Sequence, residues 1–366
     1  TSYGLFQWGL SAWCIYGIPT VGLAYAFYNK KVPYLRFSAS ILGHNCTTSI
    51  WGRVIDLSFM IGLIGGAATA LALTVPIISA GVSELTNIPR DVVMDLCVIA
   101  VCVGLFGVTV YLGLEKGIKR LADANLWLAL IFLAFVLIAG PTTFILMIGT
   151  ESLGHMLSNT ITMITYSDPI EKTGFVQDWT IFYWAWWFAF APFVGIFVTR
   201  ISRGRTIGQV LTGMCVFGSL GAWSFFIILG NYALHLELNG VLPVVDMVNS
   251  DAAKAIATVI AELPLGKIAL TILVLVTTVF VATTYNSASY SLASAATQSL
   301  QAGEDPARWH RVFWALVLGM MPIGLIFIGG LKVVQSAVLL SGLPIAIAGG
   351  FMAKTLLSDL QQEHRK

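Results

Sequence analysis

Asp178-Trp179-Thr180-Ile181-Phe182-Tyr183-Trp184-Ala185-Trp186-Trp187 opens an apolar run that extends to residue 199 with no charged residue after Asp178. A run of about 20 apolar residues is long enough to cross a bilayer as a helix. At 3.6 residues per turn, Trp179, Tyr183, Trp186, Trp187 and Phe190 fall at i, i+4, i+7, i+8 and i+11, on one helix face. Tryptophan and tyrosine gather at membrane interfaces, which accounts for Trp179. Trp186 and Trp187 lie about 10–12 Å deeper at 1.5 Å per residue, and an interfacial belt accounts for them poorly.

The rest of the chain has the composition of a membrane protein. Of 366 residues, 57% are hydrophobic and only 10% charged, with a mean hydropathy of +0.84; soluble domains are about 25% charged. The net charge of +2 and the lack of a lysine/arginine cluster argue against a nucleic-acid partner. Cys14, Cys46, Cys97, Cys102 and Cys215 lie in apolar or near-membrane segments without metal-ligand spacing and read as small core residues. The first residue is Thr1, no signal-peptide pattern is visible, and the expectation is a fragment lacking its N-terminus.

Charge-free windows at 1–29, 57–82, 96–114, 124–150, 179–199, 206–236, 268–303, 312–331 and 333–353 predict about nine spans. Two longer connections, 151–178 and 237–267, mix apolar and charged residues and are expected to hold surface helices. With loops numbered alternately, Arg90, Lys172, Lys254, Lys267 and Lys332 fall on one side and the remaining 15 of 20 lysines and arginines on the other. The positive-inside rule makes that second side cytoplasmic: the fragment starts outside and ends inside.

No Asp, Glu, Lys or Arg occupies the middle of a span; Asp56, Asp95 and Asp123 lie at ends, where a solvated or interfacial role is expected. Proton relays through buried carboxylates are thereby disfavoured. The first span adds Trp8, Trp13 and Tyr16 to the aromatic set. Belt or packing is one reading of these rings. The other is a cage for a permanently charged, methylated cation, to which a carboxylate offers no hydrogen bond. Indole faces offer it negative quadrupole and apolar contact together, worth about 0.5–1 kcal/mol per exposed contact and about 2 or more when desolvated.

Trp179 to Trp187, continuing through Pro192-Phe193-Val194-Gly195 to Arg200-Ile201-Ser202-Arg203-Gly204-Arg205, together with Trp8-Gly9…Trp13…Tyr16, resembles the betaine/carnitine/choline transporter family over essentially the whole chain. The resemblance implies an all-α membrane protein with the inverted five-helix-repeat (LeuT-like) transporter fold, its first three helices absent here. It implies four helices of the first repeat in 1–150, an extracellular connector with a surface helix in 151–178, the second repeat in 179–353 and a short cytoplasmic tail in 354–366. It further implies a homotrimer in the cell (inner) membrane, multi-pass, with the C-terminus cytoplasmic. Carried over, the substrate-binding aromatic box comprises Trp8, Trp13, Tyr16, Trp186 and Trp187, with Trp179 and Tyr183 further out along the path. A tryptophan that some betaine transporters carry one turn later is Phe190 here, which weakens specificity for betaine.

Three positions bear on coupling. The position where exchangers similar to carnitine transporters carry an arginine, after the Gly113–Gly117 loop, is Asn125; Phe280 precedes Thr283-Thr284; and Phe193 follows Pro192, all as in sodium-coupled members. Sodium needs a shell of oxygens, which hydroxyls and unwound carbonyls supply. Thr283 and Thr284 are expected as sodium ligands and Thr69 at a second site, with Phe280 and Phe193 included in the sodium set by the resemblance; packing within or between helices is the alternative for such hydroxyls. No other cofactor is expected. The tail, Lys354 to Lys366, is short, which disfavours tail-based osmotic activation. Pro76 and Pro192 read as kinks, Gly329-Gly330 as a turn, and the five histidines form no ligand set. The expected function is sodium-coupled symport of glycine betaine, choline, carnitine or a sulfonium analogue by alternating access. A sodium-independent exchanger is the alternative within the class, and a channel or receptor the alternative outside it. No enzyme is expected, because no nucleophile or metal set lies within the spans.

Overall fold

Backbone amides and carbonyls have no water to bond in a bilayer, so an apolar chain crosses it as helices that satisfy these groups internally. The computed structural model describes residues 1–112, 115–297, 305–328 and 331–364, and among them finds helices and no strand. In chain order these are α1 (Ser2–Trp8), α2 (Leu10–Ala24), α3 (Ala39–Leu42), α4 (Ile50–Thr86), α5 (Val92–Leu112), α6 (Glu115–Ala139), α7 (Thr142–Ser158), α8 (Thr160–Thr165), α9 (Phe182–Ile201), α10 (Ile207–Gly213), α11 (Ser219–Phe225), α12 (Asn231–Leu238), α13 (Val244–Ala261), α14 (Gly266–Ala296), α15 (Arg308–Ile328) and α16 (Leu331–His364). Wide π-helical turns at Tyr25–Asn29, Val176–Ile181, Met214–Gly218 and Phe226–Gly230 join several of them into longer rods.

Among the described residues, eight rods are long and apolar enough to cross a membrane. The ninth expected window, 312–331, falls on α15 and runs into residues 329–330, which lie outside the described residues, as does the expected Gly329-Gly330 turn. So do Gly113 and Leu114 of the expected loop, although Glu115 to Gly117 already belong to α6. Other boundaries differ for identifiable reasons. The first window is two helices interrupted at Gly9, whose backbone leaves helical geometry (φ −98°, ψ −123°). The window 124–150 breaks between α6 and α7, where Pro141 cannot supply a helical amide. The window 268–303 is helical as far as Ala296 and leaves the helix at Thr297; its residues 298–303 lie outside the described residues. Residues 354–364 of the expected tail continue α16 as helix; Arg365 and Lys366 lie outside the described residues.

By its internal contacts the chain forms two compact units, each assembled from separate stretches. One comprises Thr1–Phe6, Ala70–Thr165 and Leu220–Asn286. Its core joins α6, α7, α12, α13 and the start of α14 through Phe132, Val136, Ile145, Tyr232, Leu236, Ile260 and Leu270. Arg90 donates to Asp95 at the start of α5 and to Asp251 in α13, each at 3.1 Å. Asp251 leaves helical geometry (φ −153°, ψ 95°) and its carboxylate accepts the amides of Ala253 and Lys254, starting the second half of α13 as an N-cap does. These two carboxylates and the hydrogen bonds they accept hold the Arg90 guanidinium above its ordinary pKa against the opposing effect of its burial.

The other unit comprises Gln7–Thr69, Tyr166–Ser219 and Ser287–Lys366. Here α9 packs between α2 and α16, and glycines let the backbones approach. A Cβ on Gly342 of α16 would stand 2.3 Å from the carbonyl oxygen of Ala185 in α9, and one on Gly195 3.0 Å from the backbone of Pro19 in α2. Asp56 and Asp95, for which the sequence predicts a solvated or interfacial role at span ends, are both buried and paired. Asp56 accepts the Ser38 amide and hydroxyl and faces Arg36 at 3.5 Å. Arg36 in turn donates to the carbonyls of Ala295 and Thr297 at the end of α14, where a cation also suits the helix dipole. In the connector before α9, Asp168 accepts the amides of Lys172 and Thr173 and the Thr173 hydroxyl, a set that holds its carboxyl below the usual carboxylate range.

Gly342→Ala should lower the thermal midpoint in detergent, because the clash is with backbone; overpacking of this kind costs about 1–3 kcal/mol against a gain in helix propensity of about 1. An unchanged or higher midpoint contradicts the packing described. The Asp168 bonds should protect the amides of Lys172 and Thr173 fully above the unfolded aspartate value, about pH 3.9, and lose that protection as pH falls through the lower folded value. Hydrogen exchange, corrected for its intrinsic pH dependence, checks this.

Candidate functional site

The aromatic residues singled out in the sequence come together within the second unit. On α9, Trp186 and Trp187 lie 5.5 Å apart with ring planes 8° from parallel. Tyr183 stacks on both, at 6.3 and 5.8 Å. Trp8, at the end of α1, crosses this stack nearly at right angles: 4.7 Å from Trp187 at 79°, 6.0 Å from Trp186 at 81° and 5.6 Å from Tyr183 at 69°. Tyr16 of α2 meets Trp187 at 6.0 Å and 79°, and Trp13 meets Tyr16 at 5.6 Å. The result is two ring orientations close to perpendicular, as aromatic quadrupoles prefer. Trp186, Trp187 and Tyr16 are buried, Trp8, Trp13 and Tyr183 half-buried, and Trp179 exposed at 38% while stacked on Tyr183.

Buried indoles need acceptors for their N–H groups, and both here use main-chain carbonyls. Trp186 donates to Gly66 O of α4 at 3.0 Å, and Trp187 to Gln7 O of α1 at 2.8 Å. Gly66 also leaves room for Phe190, since a Cβ there would meet that ring at 2.9 Å. Gly218 does the same for Trp13, whose indole a Cβ would touch at 2.1 Å. The helix expected from Trp179 begins regularly only at Phe182, because Val176–Ile181 is a wide turn. Phe182, buried and 5.5 Å from Trp186, is a ring partner that the face analysis does not include. The rings that meet here are indole, phenol and phenyl side chains without formal charge.

The expected sodium-site residues are distributed over both units. Phe280, Thr283 and Thr284 lie on the part of α14 in the first unit, with Phe280 61% exposed. The Thr283 hydroxyl donates to Val279 O and Phe280 O of its own helix, each at 3.0 Å. Thr69 and Phe193 lie in the second unit; Thr69 is fully buried, and its hydroxyl has no hydrogen-bond partner among the described residues. Asn125 donates from Nδ2 to Val276 O at 3.2 Å within the first unit. Among the described residues no group of three or more His, Cys, Asp or Glu side chains is placed to hold a metal ion.

Comparison with known proteins identifies the family. The sequence model of the betaine/carnitine/choline family transporter matches residues 1–365. An uncharacterized transporter of Escherichia coli K12, YeaV, is 33% identical over 360 residues, covering 96% of this chain and 75% of that protein. A carnitine transporter of Acinetobacter baumannii is 32% identical over 370 residues, covering all of this chain and 67% of that protein. The chain therefore belongs to the betaine/carnitine/choline transporter family, and is a multi-pass membrane transporter rather than an enzyme.

Proposed function

We propose that the chain carries a quaternary-ammonium solute, glycine betaine, choline or carnitine, or a sulfonium analogue, past Trp8, Trp13, Tyr16, Trp186 and Trp187, with Tyr183 and Trp179 on the approach. The observation that carries this reading is the perpendicular meeting of Trp8 with the Trp186–Trp187 pair, 4.7 and 6.0 Å away. Rings set in two orientations offer π faces and apolar edges to a cation whose charge is spread over methyl groups. A desolvated contact of this kind is worth about 2 kcal/mol or more, so a few rings suffice without a carboxylate. The carnitine transport named for one relative supports the same solute class.

Sodium is the proposed coupling ion, with Thr283, Thr284 and Phe280 at one site and Thr69 at another; Phe193 is included because it matches the sodium-coupled members of the family. The buried Thr69 hydroxyl, without a partner among the described residues, favours a ligand role there. The remaining features follow from family resemblance and loop charge: a symporter working by alternating access between inverted repeats, homotrimeric, in the cell membrane with its C-terminus cytoplasmic.

Trp187→Ala should weaken binding of glycine betaine on the order of tenfold or more, and Trp187→Phe by less, since a ring face remains. Fluorescence titration or calorimetry on the full-length protein checks this, and unchanged affinity in Trp187→Ala contradicts the site. Uptake into vesicles should require sodium, and Thr283→Ala with Thr284→Ala should raise the half-saturating sodium concentration several-fold. Undiminished uptake with potassium in place of sodium contradicts the coupling.

A further inference from the structure

Two buried glutamines from outside it and a buried threonine within it bond the turn that precedes the tryptophan face, although an apolar residue would fill each place at less desolvation cost. We propose that Gln7, Thr180 and Gln335 are positioning residues that lock the wide turn Val176–Ile181 and thereby fix the direction in which Trp186 and Trp187 point. The proposal rests on the reading of that face as the solute site.

Gln7, Thr180 and Gln335 are 3%, 5% and 4% exposed. Gln7 Nε2 donates to Thr180 Oγ1 at 3.2 Å, and Gln335 Nε2, from α16, donates to the Asp178 carbonyl at 2.5 Å. Both acceptors lie inside the wide turn. Gln7 does a second thing: its own carbonyl accepts the Trp187 indole at 2.8 Å. One residue thus holds the turn by its side chain and the ring by its main chain. The interruption at Gly9, two residues on, separates α1 from α2 and brings side chains to that carbonyl; the Ser11 hydroxyl also donates to it, at 3.3 Å.

The lock has a geometric purpose. A π turn carries an extra residue relative to an α turn, is rare, and recurs at functional sites. If it relaxed to α geometry by passing that residue along the helix, everything downstream would rotate by about 100°. Trp186 and Trp187 would then leave Trp8 and their carbonyl acceptors together. Hydrogen bonds from two separate helices to the turn oppose that rotation, and because buried donors left unpaired are costly, the opposition is specific to this register.

The test uses full-length protein labelled with fluorotryptophan, in which Trp187→Phe identifies the Trp187 fluorine resonance. Gln7→Met and Thr180→Val should shift or broaden that resonance with no solute present, and raise the KM for glycine betaine about tenfold with Vmax little changed. Thr180→Ser, which keeps the hydroxyl, should restore both. The Gln7→Met/Thr180→Val double variant should do no more harm than the worse single variant, since the two remove one bond. Gln335→Met, acting on the same turn from α16, keeps the test open if Gln7→Met fails to fold. An unmoved resonance in these variants, a Thr180→Ser that behaves like valine, or multiplying losses in the double variant overturns the proposal. A resonance that moves in the variants yet ignores glycine betaine in the wild type supports the lock and overturns the solute site instead.

Discussion

Two hydrogen bonds from buried indoles to main-chain carbonyls, Trp186 to Gly66 and Trp187 to Gln7, hold the candidate site in shape. An indole that flips or withdraws loses its bond in surroundings that offer no water, and such a loss costs about 1–3 kcal/mol. Each ring is therefore a rigid wall rather than a mobile filler. The acceptors belong to two other helices, α4 and α1, so the site is tied to the packing of the whole second unit. The close contacts of α9 with α2 and α16 at Gly195 and Gly342 belong to the same packing.

Charge is placed with equal economy. The buried carboxylates Asp56 and Asp95 lie near helix starts and face Arg36 and Arg90 respectively. Removing one partner of such a pair leaves an uncompensated buried charge, which is far more costly than the pair is stabilising. Ion pairs thus fasten segment ends, while the side chains of the aromatic cluster carry no formal charge of their own. On the proposed reading, ring quadrupoles supply the attraction for a permanently charged solute.

Much of the helical architecture is legible in the sequence, because lipid leaves an apolar chain few other ways to satisfy its backbone. Spacing also suffices to group Tyr183, Trp186 and Trp187 on one face. What spacing does not reveal depends on tertiary bonds. The wide turn at Val176–Ile181, the break at Gly9 and the burial of Asp56 arise from partners distant in sequence, such as Gln335, Trp187 and Arg36. Main-chain acceptors like Gly66 O carry no side-chain signature at all; the nearest signal is the small Gly65-Gly66-Ala67-Ala68 run that lets helices approach. Hydroxyls are ambiguous at either level, since a threonine such as Thr283 bonds carbonyls of its own helix wherever it sits in an apolar span.

The central claim is that indole faces recognise the charge of a methylated cation and not merely its shape. The most direct measurement compares binding of choline with that of its neutral isostere, in which carbon replaces the quaternary nitrogen, on the same full-length protein. The two are nearly equal in size and neither donates a hydrogen bond from that end. With two or more desolvated ring contacts at about 2 kcal/mol each, choline should bind at least about a hundredfold more tightly. Equal affinities for the two would contradict the account.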